Sequence, residues 1–537
     1  MRAHLWWQHG IIYQIYPRSF LDSNADGVGD LRGVLSKLDY LEWLGVDAIW
    51  ISPIYPSPMA DFGYDVSNYT DIHPVFGDMA DMRELLAAAH ARNMKVILDF
   101  VPNHTSNEHP WFQEARRSRD SERRDHYLWK DPGPNGEPPN NWLSVFGGSA
   151  WEWDEATGQY YYHAFLKEQP DLNWRHPQVR QQMYAAMRFW LDLGVDGFRV
   201  DVLWHLIKDA EWRNNPPNPD YMPGQAPYNQ LIPAYSTDQP EMQQIVREMR
   251  ALMNEYDERV LIGEIYLPIR RLVSYYGSSG DGAHLPFNFQ LITLPWNARQ
   301  IAAAISEYEG ALPPDAWPNW VLGNHDQPRV ASRVGLSQAR VAAVLLLTLR
   351  GTPTLYYGDE LGMRDAVIFP EDIRDPQGKN IGISRDPSRT PMQWGPSESA
   401  GFSQATPWLP LGHDYRHCNV ERQSREPDSL LSLYRRLVEL RRKEPALCVG
   451  SYRPLVSDGD VLAFVREADT GNRFLVALNL GPRPGLLSLD GFGGGQVVVA
   501  TEQRRESERV GQRLILTGDD ALVVRLDSAP ASAREKS

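Results

Sequence analysis

Gly194-Val-Asp-Gly-Phe-Arg-Val-Asp-Val202 is the stretch whose reading decides the fold. Val195, Phe198, Val200 and Val202 are apolar, β-favouring residues interrupted by Asp196 and Arg199, so the run reads as a short buried strand ending at Asp201. A carboxylate at the carboxyl end of a buried strand is costly unless it is paired or used. Arg199, two residues earlier on the same face, could supply a plain ion pair. Taken alone, the stretch is compatible with that pair or with a working acid.

Upstream, Val179, Met183, Ala186, Met187, Trp190 and Leu191 form a helical stripe that leads into this strand. At the start of the chain, Ile11 to Tyr16, Val46 to Ser52 and Met94 to Val101 read as strands. Helical stripes lie between them, over Leu31 to Leu44 and around Met82 to Ala89. Strand-then-helix repetition implies parallel pairing through right-handed crossovers. Downstream, Arg259 to Ile265, Leu285 to Leu291, Asn319 to Asp326 and Thr352 to Tyr357 bring the strand count to eight, with helices near 241–255, 297–308 and 337–349. Eight such units imply an α/β protein, a closed (β/α)8 TIM barrel rather than an open sheet.

The alternation stops between about Thr105 and Leu172. That stretch is rich in Pro, Gly, Trp and Tyr, and too long for a structureless loop, so residues 105–172 are expected to form a small inserted domain after strand 3. The barrel then occupies 1–104 and 173–449, closing with a helix near Leu430 to Arg442. Beyond it, Val461 to Val465, Phe474 to Leu478, Gln496 to Ala500 and Ala521 to Leu526 are short β runs. Residues 450–537 are accordingly expected to be a C-terminal all-β sandwich, ending in a disordered tail from Ser528.

A chain of 537 residues exceeds a single core. Its net charge of −15 disfavours nucleic acid as a partner. The Arg-rich segment Ala115 to Asp125 is interleaved with acids and reads as a solvated face. Only Cys418 and Cys448 are present, the N-terminus lacks a signal-peptide core, and the longest apolar run, Val341 to Leu349, is too short for a bilayer. A cytoplasmic protein without a membrane partner is expected, monomeric or weakly homo-oligomeric.

Ionisable residues collect at the strand ends: Asp99 with His104 beyond it, Arg199 and Asp201, Glu264, and His325 with Asp326. A parallel barrel points all of these ends at one mouth, and carboxylates gathered there raise one another's cost unless a substrate or metal uses them.

The runs Asp99-Phe-Val-Pro-Asn-His104, Gly197-Phe-Arg-Val-Asp201, Gly263-Glu264 and Asn324-His-Asp326 resemble the four sequence regions of the α-amylase-type glycoside hydrolases, in order. Gln169-Pro-Asp-Leu-Asn173 and Arg385 to Trp394 narrow the resemblance to the oligo-1,6-glucosidase and α-glucosidase branch. The resemblance implies retaining hydrolysis of short α-glucosides by two carboxyl groups about 5 Å apart. Asp201 would be the nucleophile, Glu264 the general acid/base, and Asp326 the stabiliser of the transition state, with Arg199 keeping Asp201 ionised. His104 and His325 would bind the reacting sugar, and Asp61 and Tyr64 its non-reducing end. An Asp61–Arg385 pair would close the pocket and make the enzyme exo-acting, with Phe146 and Phe165 as walls. Val202 mildly favours α-1,6 over α-1,4 linkages.

In the loop Asp22-Ser-Asn-Ala-Asp-Gly-Val-Gly-Asp30 the oxygen ligands alternate as in half an EF-hand, although Asp30 alone could be a helix N-cap. The resemblance implies a structural Ca²⁺ or Mg²⁺ held by Asp22, Asn24, Asp26, the Val28 carbonyl and Asp30. Two other activities fit the same scaffold. One is glucosyl transfer or sucrose isomerisation. The other is the non-catalytic role of transporter heavy chains, which would show a membrane span and broken carboxylates.

Overall fold

The computed structural model describes residues 4–455 and 459–527; the expected tail from Ser528 lies outside them. Eight strands run β1 (Ile12–Ile15), β2 (Ala48–Ile51), β3 (Lys95–Phe100), β4 (Gly197–Val200), β5 (Val260–Gly263), β6 (Leu285–Pro286), β7 (Asn319–Val321) and β8 (Thr352–Tyr356). They pair in parallel in the order β7-β8-β1-β2-β3-β4-β5-β6. The remaining seam, between β6 and β7, is bridged by a side chain. Asn319 Nδ2 donates to the Pro286 carbonyl at 2.6 Å, and the Asn288 amide donates to Asn319 Oδ1 at 2.9 Å. β6 is shorter than the expected Leu285 to Leu291 strand because Pro286 has no N–H for the ladder and a helical turn starts at Gln290.

The strands are buried on both faces, which is why they read as continuous apolar runs. Ile12, Trp50, Ile97, Val260 and Ile262 fill the barrel interior. Tyr13, Ile49, Val96, Leu98 and Leu261 face the helices. The stripe over Leu31 to Leu44 is two helices, Leu31–Ser36 and Leu38–Leu44, joined at Lys37, where φ is −109° and ψ 7°. Leu31 and Val34 of the first helix and Leu38, Leu41 and Leu44 of the second are buried, with Leu35 half-buried, so the periodicity survives the break.

Between β3 and β4 the chain makes a three-stranded antiparallel sheet from Trp129–Lys130, Gln159–Tyr162 and Trp151–Asp154. Trp142, Trp151 and Tyr162 form its core, against which Trp212 of the β4-to-β5 connection packs. Here the expectation of a solvated face holds for Arg117, Arg119, Asp120, Glu122 and Asp125, which are exposed, and is corrected at one charged residue. Arg124, in the segment read as a solvated face, is buried with its guanidinium 3.4 Å from the Trp129 ring centroid. The stem of an arginine covers apolar surface readily, and a cation over an indole face is attracted to it.

After the helix Leu430–Lys443, six antiparallel strands form one sheet and Gly485–Ser488 with Arg513–Leu516 a second. Val461, Leu475, Leu487, Leu514 and Val524 pack between the sheets, while Phe464, Phe474, Val476 and Leu478 join the barrel's outer core. Among the described residues no helix is long and apolar enough to cross a membrane.

Candidate active site

Beyond β4 and β5 the ladder continues for one residue. The Asp201 amide donates to the Phe100 carbonyl at 2.8 Å and the Glu264 amide to the Val200 carbonyl at 2.9 Å, so both carboxylates start from pinned backbone. Arg199, fully buried, sits beneath them. Its Nη1 donates to Asp201 Oδ1 at 2.7 Å and to Asp99 Oδ1 at 2.9 Å. Its Nη2 lies 2.8 Å from Glu264 Oε2, but without hydrogen-bond alignment, since Nη2 counts as unpartnered. Asp201 therefore has the better charge-assisted bond.

That asymmetry bears on where a proton resides. Burial pushes the Glu264 carboxyl up; Arg199 opposes this and the Asp326 charge adds to it. Burial, then the Glu264 charge, also pushes Asp201 up, against Arg199. Two carboxyl groups that raise each other titrate as a pair, and the aligned Arg199 bond favours leaving the charge on Asp201. Asp99 is pushed to about 7 by burial, despite Arg199.

Asp326, after β7, behaves in the opposite way. Burial would raise it, but the permanent charges of Arg389 and Arg385, beside the imidazole of His325, hold it well below the usual carboxylate range. Arg389 Nη2 donates to Asp326 Oδ1 at 2.9 Å and Arg385 Nη1 at 3.3 Å. Arg385 Nη2 also donates to Asp61 Oδ1 at 2.7 Å and to Asp375 Oδ1 at 2.6 Å, and its guanidinium lies 4.7 Å from the Phe146 centroid. Of the groups around this guanidinium, Asp61, Phe146 and Asp326 line the same cavity as Arg385.

The cavity holds about 600 Å³ and brings together Asp61, Tyr64, His104, Phe146, Phe165, Asp201, Val202, Glu264, His325, Asp326 and Arg385. The imidazole of His104 is pushed down to about 4 by burial, and His325 well below its ordinary value for the same reason. Both present neutral rings. Val202 has φ +36° and ψ +47°, left-handed backbone that is a true outlier for a β-branched residue. Its amide donates to Glu264 Oε2 at 2.8 Å.

Several lining residues were not among the expected ones. Gln169 donates to Asp61 Oδ2 at 3.3 Å, and its motif had been visible. Trp204 and Tyr266 form the outer wall together with Asn218, Tyr228 and the apolar run Leu231-Ile232-Pro233. That wall is largely irregular backbone with no periodicity to read.

The residues Asp22 to Asp30 lie apart from the cavity lining. Asp22 Oδ1 accepts from the Asn24 and Ala25 amides, and Oδ2 from the Gly27 amide and the Ser403 hydroxyl. Asp30 caps the helix Leu31–Ser36 through the Gly33 amide at 2.7 Å. Among the described residues no group of three or more His, Cys, Asp or Glu is arranged to hold a metal ion.

A (β/α)8 barrel with this carboxylate cluster at the carboxyl ends of its strands defines a glycoside hydrolase. The profile described as "Alpha amylase, catalytic domain" matches residues 14–450, and the chain belongs to that family. It is 42% identical over 480 residues to a probable alpha-glucosidase of Rhizobium meliloti (strain 1021), covering 86% of this chain and 87% of that one. It is 39% identical over 514 residues to the oligo-1,6-glucosidase of Parageobacillus thermoglucosidasius, covering 88% and 90%. A solved structure, the alpha-glucosyl transfer enzyme XgtA, superposes with a TM-score of 0.92 at 40% identity over 97% of this chain and 100% of its own.

Proposed function

We propose that this glycoside hydrolase is an exo-acting, retaining α-glucosidase for short α-glucosides. The observation that carries the reading is the ion-pair cluster in which Arg385 bonds Asp61, Asp375 and Asp326 in the cavity that holds Asp201 and Glu264. If that cluster closes the cavity behind the first sugar, the site takes one terminal glucose. Asp201 attacks the anomeric carbon and forms a glycosyl ester, while Glu264 gives its proton to the departing oxygen. Glu264 then takes a proton from water, which breaks the ester. The short retaining spacing is supported by a single guanidinium that touches both carboxyl groups. The Val202 amide and Arg199 Nη2 both face Glu264 Oε2, so the transferable proton resides on Oε1. Asp326, held ionised, stabilises the positive charge that develops on the sugar. Val202 tilts the preference towards α-1,6 linkages.

The aromatic and apolar part of the lining, Trp204, Tyr266 and Leu231-Ile232-Pro233, favours a second outcome at the same site, transfer of glucose to an acceptor hydroxyl in place of water. An apolar acceptor side holds water poorly and a bound alcohol well, and the structural relative XgtA is an alpha-glucosyl transfer enzyme. A structural Ca²⁺ or Mg²⁺ in the Asp22–Asp30 loop is also proposed. It rests on the alternation of oxygen-bearing residues along the sequence, because the three carboxylates are not gathered around one point in the structure and Asp22 and Asp30 would have to share oxygens already engaged within the loop. Two unpaired cysteines support a reducing compartment.

Proton NMR of early product from isomaltose and maltose tests the reading: α-glucose is expected first. Initial β-glucose would overturn retention, and internal cleavage of longer chains would overturn exo action.

A further inference from the structure

Gln14 is the polar interruption of β1, fully buried, and it touches no residue expected to contact sugar except one. Its Nε2 lies 2.8 Å from His325 Nδ1. Resting on the function proposed above, we infer that Gln14 is a positioning residue that locks His325 in its Nε2–H tautomer, aiming that proton at the Tyr64 hydroxyl in the cavity lining.

The tautomer follows from the network. An amide nitrogen can only donate, so Gln14 Nε2 requires a lone pair at Nδ1 and leaves the ring hydrogen on Nε2. The opposite orientation of the amide would reverse this, so the far side of the ring must decide. There, Nε2 lies 2.6 Å from the Tyr64 hydroxyl and 3.3 Å from Asp326 Oδ2. The Tyr64 hydroxyl has one hydrogen and donates it to Asp99 Oδ2 at 3.1 Å, which leaves it an acceptor towards the imidazole. Asp326, ionised and already bonded by Arg389 and Arg385, adds a second acceptor-only neighbour at ion-pair distance. Both neighbours select N–H at Nε2, and a directed chain results: Gln14 to His325 to Tyr64 to Asp99.

Ring rotation is already prevented. Tyr16 and Tyr64 stack on the imidazole at centroid distances of 5.6 and 5.4 Å, with interplanar angles of 18° and 9°. The position of one hydrogen is the remaining freedom; Tyr64 favours it on Nε2, and the Gln14 amide, donating to Nδ1, holds it there from the opposite side of the ring. Gln14 Oε1 meanwhile has no partner among the described residues, a costly arrangement for a glutamine that served packing alone.

Selective ¹⁵N-histidine labelling tests this in the free enzyme, with the His325 signals identified by their loss in His325→Gln. The wild type is expected to show an unprotonated Nδ1 and a protonated Nε2. Gln14→Glu, which can only accept when ionised, is expected to place a proton on Nδ1 and to lower kcat/KM roughly 10- to 100-fold. Gln14→Met removes the donor at similar length, and should leave a mixture of tautomers and a smaller loss. Wild-type His325 protonated at Nδ1 would overturn the inference whether or not either variant folds. So would folded variants that keep the wild-type tautomer and kcat/KM. Because the tautomer is read without substrate, it stands or falls separately from the proposed activity.

Discussion

Arg199 at the barrel mouth and the pair Arg441 and Arg466 beneath its floor are guanidinium groups buried to the same degree, yet their surroundings are opposite in kind. Arg199 faces Asp99, Asp201 and Glu264. Arg441 donates to the carbonyls of Leu347, Leu349 and Leu447, and Arg466 to those of Leu447, Gly450 and Ser451. These carbonyls lie at or just past the ends of the helices Leu336–Thr348 and Pro445–Cys448, where backbone acceptors lack partners and the helix dipole favours a cation. Burial lowers both arginines of the floor; at the mouth it opposes, but does not outweigh, the carboxylates that raise Arg199. Burial of a charge is therefore not in itself a sign of chemistry. Its partners distinguish the two regions: fixed dipoles hold a domain junction together, whereas titratable groups leave a site able to move protons.

The largest expected effect tests the mouth directly. Asp201→Asn should lower kcat by roughly 10⁴-fold or more with no loss of thermal stability, since one of several crowded carboxylates is neutralised; turnover within ten-fold of wild type would remove Asp201 from its proposed role. Next comes the contrast between the arginines. Arg199→Met leaves three carboxylates facing one another without a cation, and should abolish activity and cost about 3–5 kcal/mol of stability. Arg466→Met should cost about 1–3 kcal/mol through unpaired carbonyls and leave KM and the pH profile unchanged in the folded fraction. If both variants altered the pH profile alike, the distinction between the regions would fail.

How much of this was legible in the sequence follows the same division. The mouth could be read because each catalytic candidate ends an apolar run, which marks a charge at a strand's carboxyl end. The floor could not, because Arg441 reads as one of several basic residues on an amphipathic helix and Arg466 as the edge of a β run. Their carbonyl partners carry no residue signature. Gln14 was visible as an interruption in Ile11 to Tyr16, but its contact with His325 spans 311 positions and only barrel closure brings the two together. The wall from Asn218 to Pro233 and the Asp375 contact to Arg385 depend on irregular backbone, which has no period to detect.

A smaller effect concerns pH. The Asp326 charge is one of the causes that raise Glu264, so Asp326→Asn should move the alkaline limb of the residual kcat/KM to lower pH. Asp99 gives the stability counterpart. Its folded value of about 7 lies above the ordinary carboxylate value, so its contribution is greatest when it is protonated and is lost as pH rises from about 4 towards 7. Asp99→Asn should flatten that part of the dependence of melting temperature on pH. Arg466→Met should not.

The smallest effect concerns the Asp22–Asp30 loop, the mirror image of the floor: carboxylates bonded by backbone N–H groups instead of guanidinium groups bonded by carbonyls. Burial would raise Asp22, but hydrogen bonds from Ser403, Gly27, Asn24 and Ala25 hold it below its ordinary value, so its contribution is present at neutral pH and lost as pH falls below about 4. By the rule that separates mouth from floor, charge held by fixed dipoles belongs to the scaffold, and a cation added there would strengthen the scaffold without entering the reaction. Chelation with EDTA should lower the melting temperature by a few degrees, restored by Ca²⁺ or Mg²⁺, with kcat per folded molecule unchanged. Asp22→Asn should reduce both the fall and its reversal. A kcat that followed the cation at constant folded fraction would break the rule, because it would tie a dipole-held charge to the chemistry at the mouth.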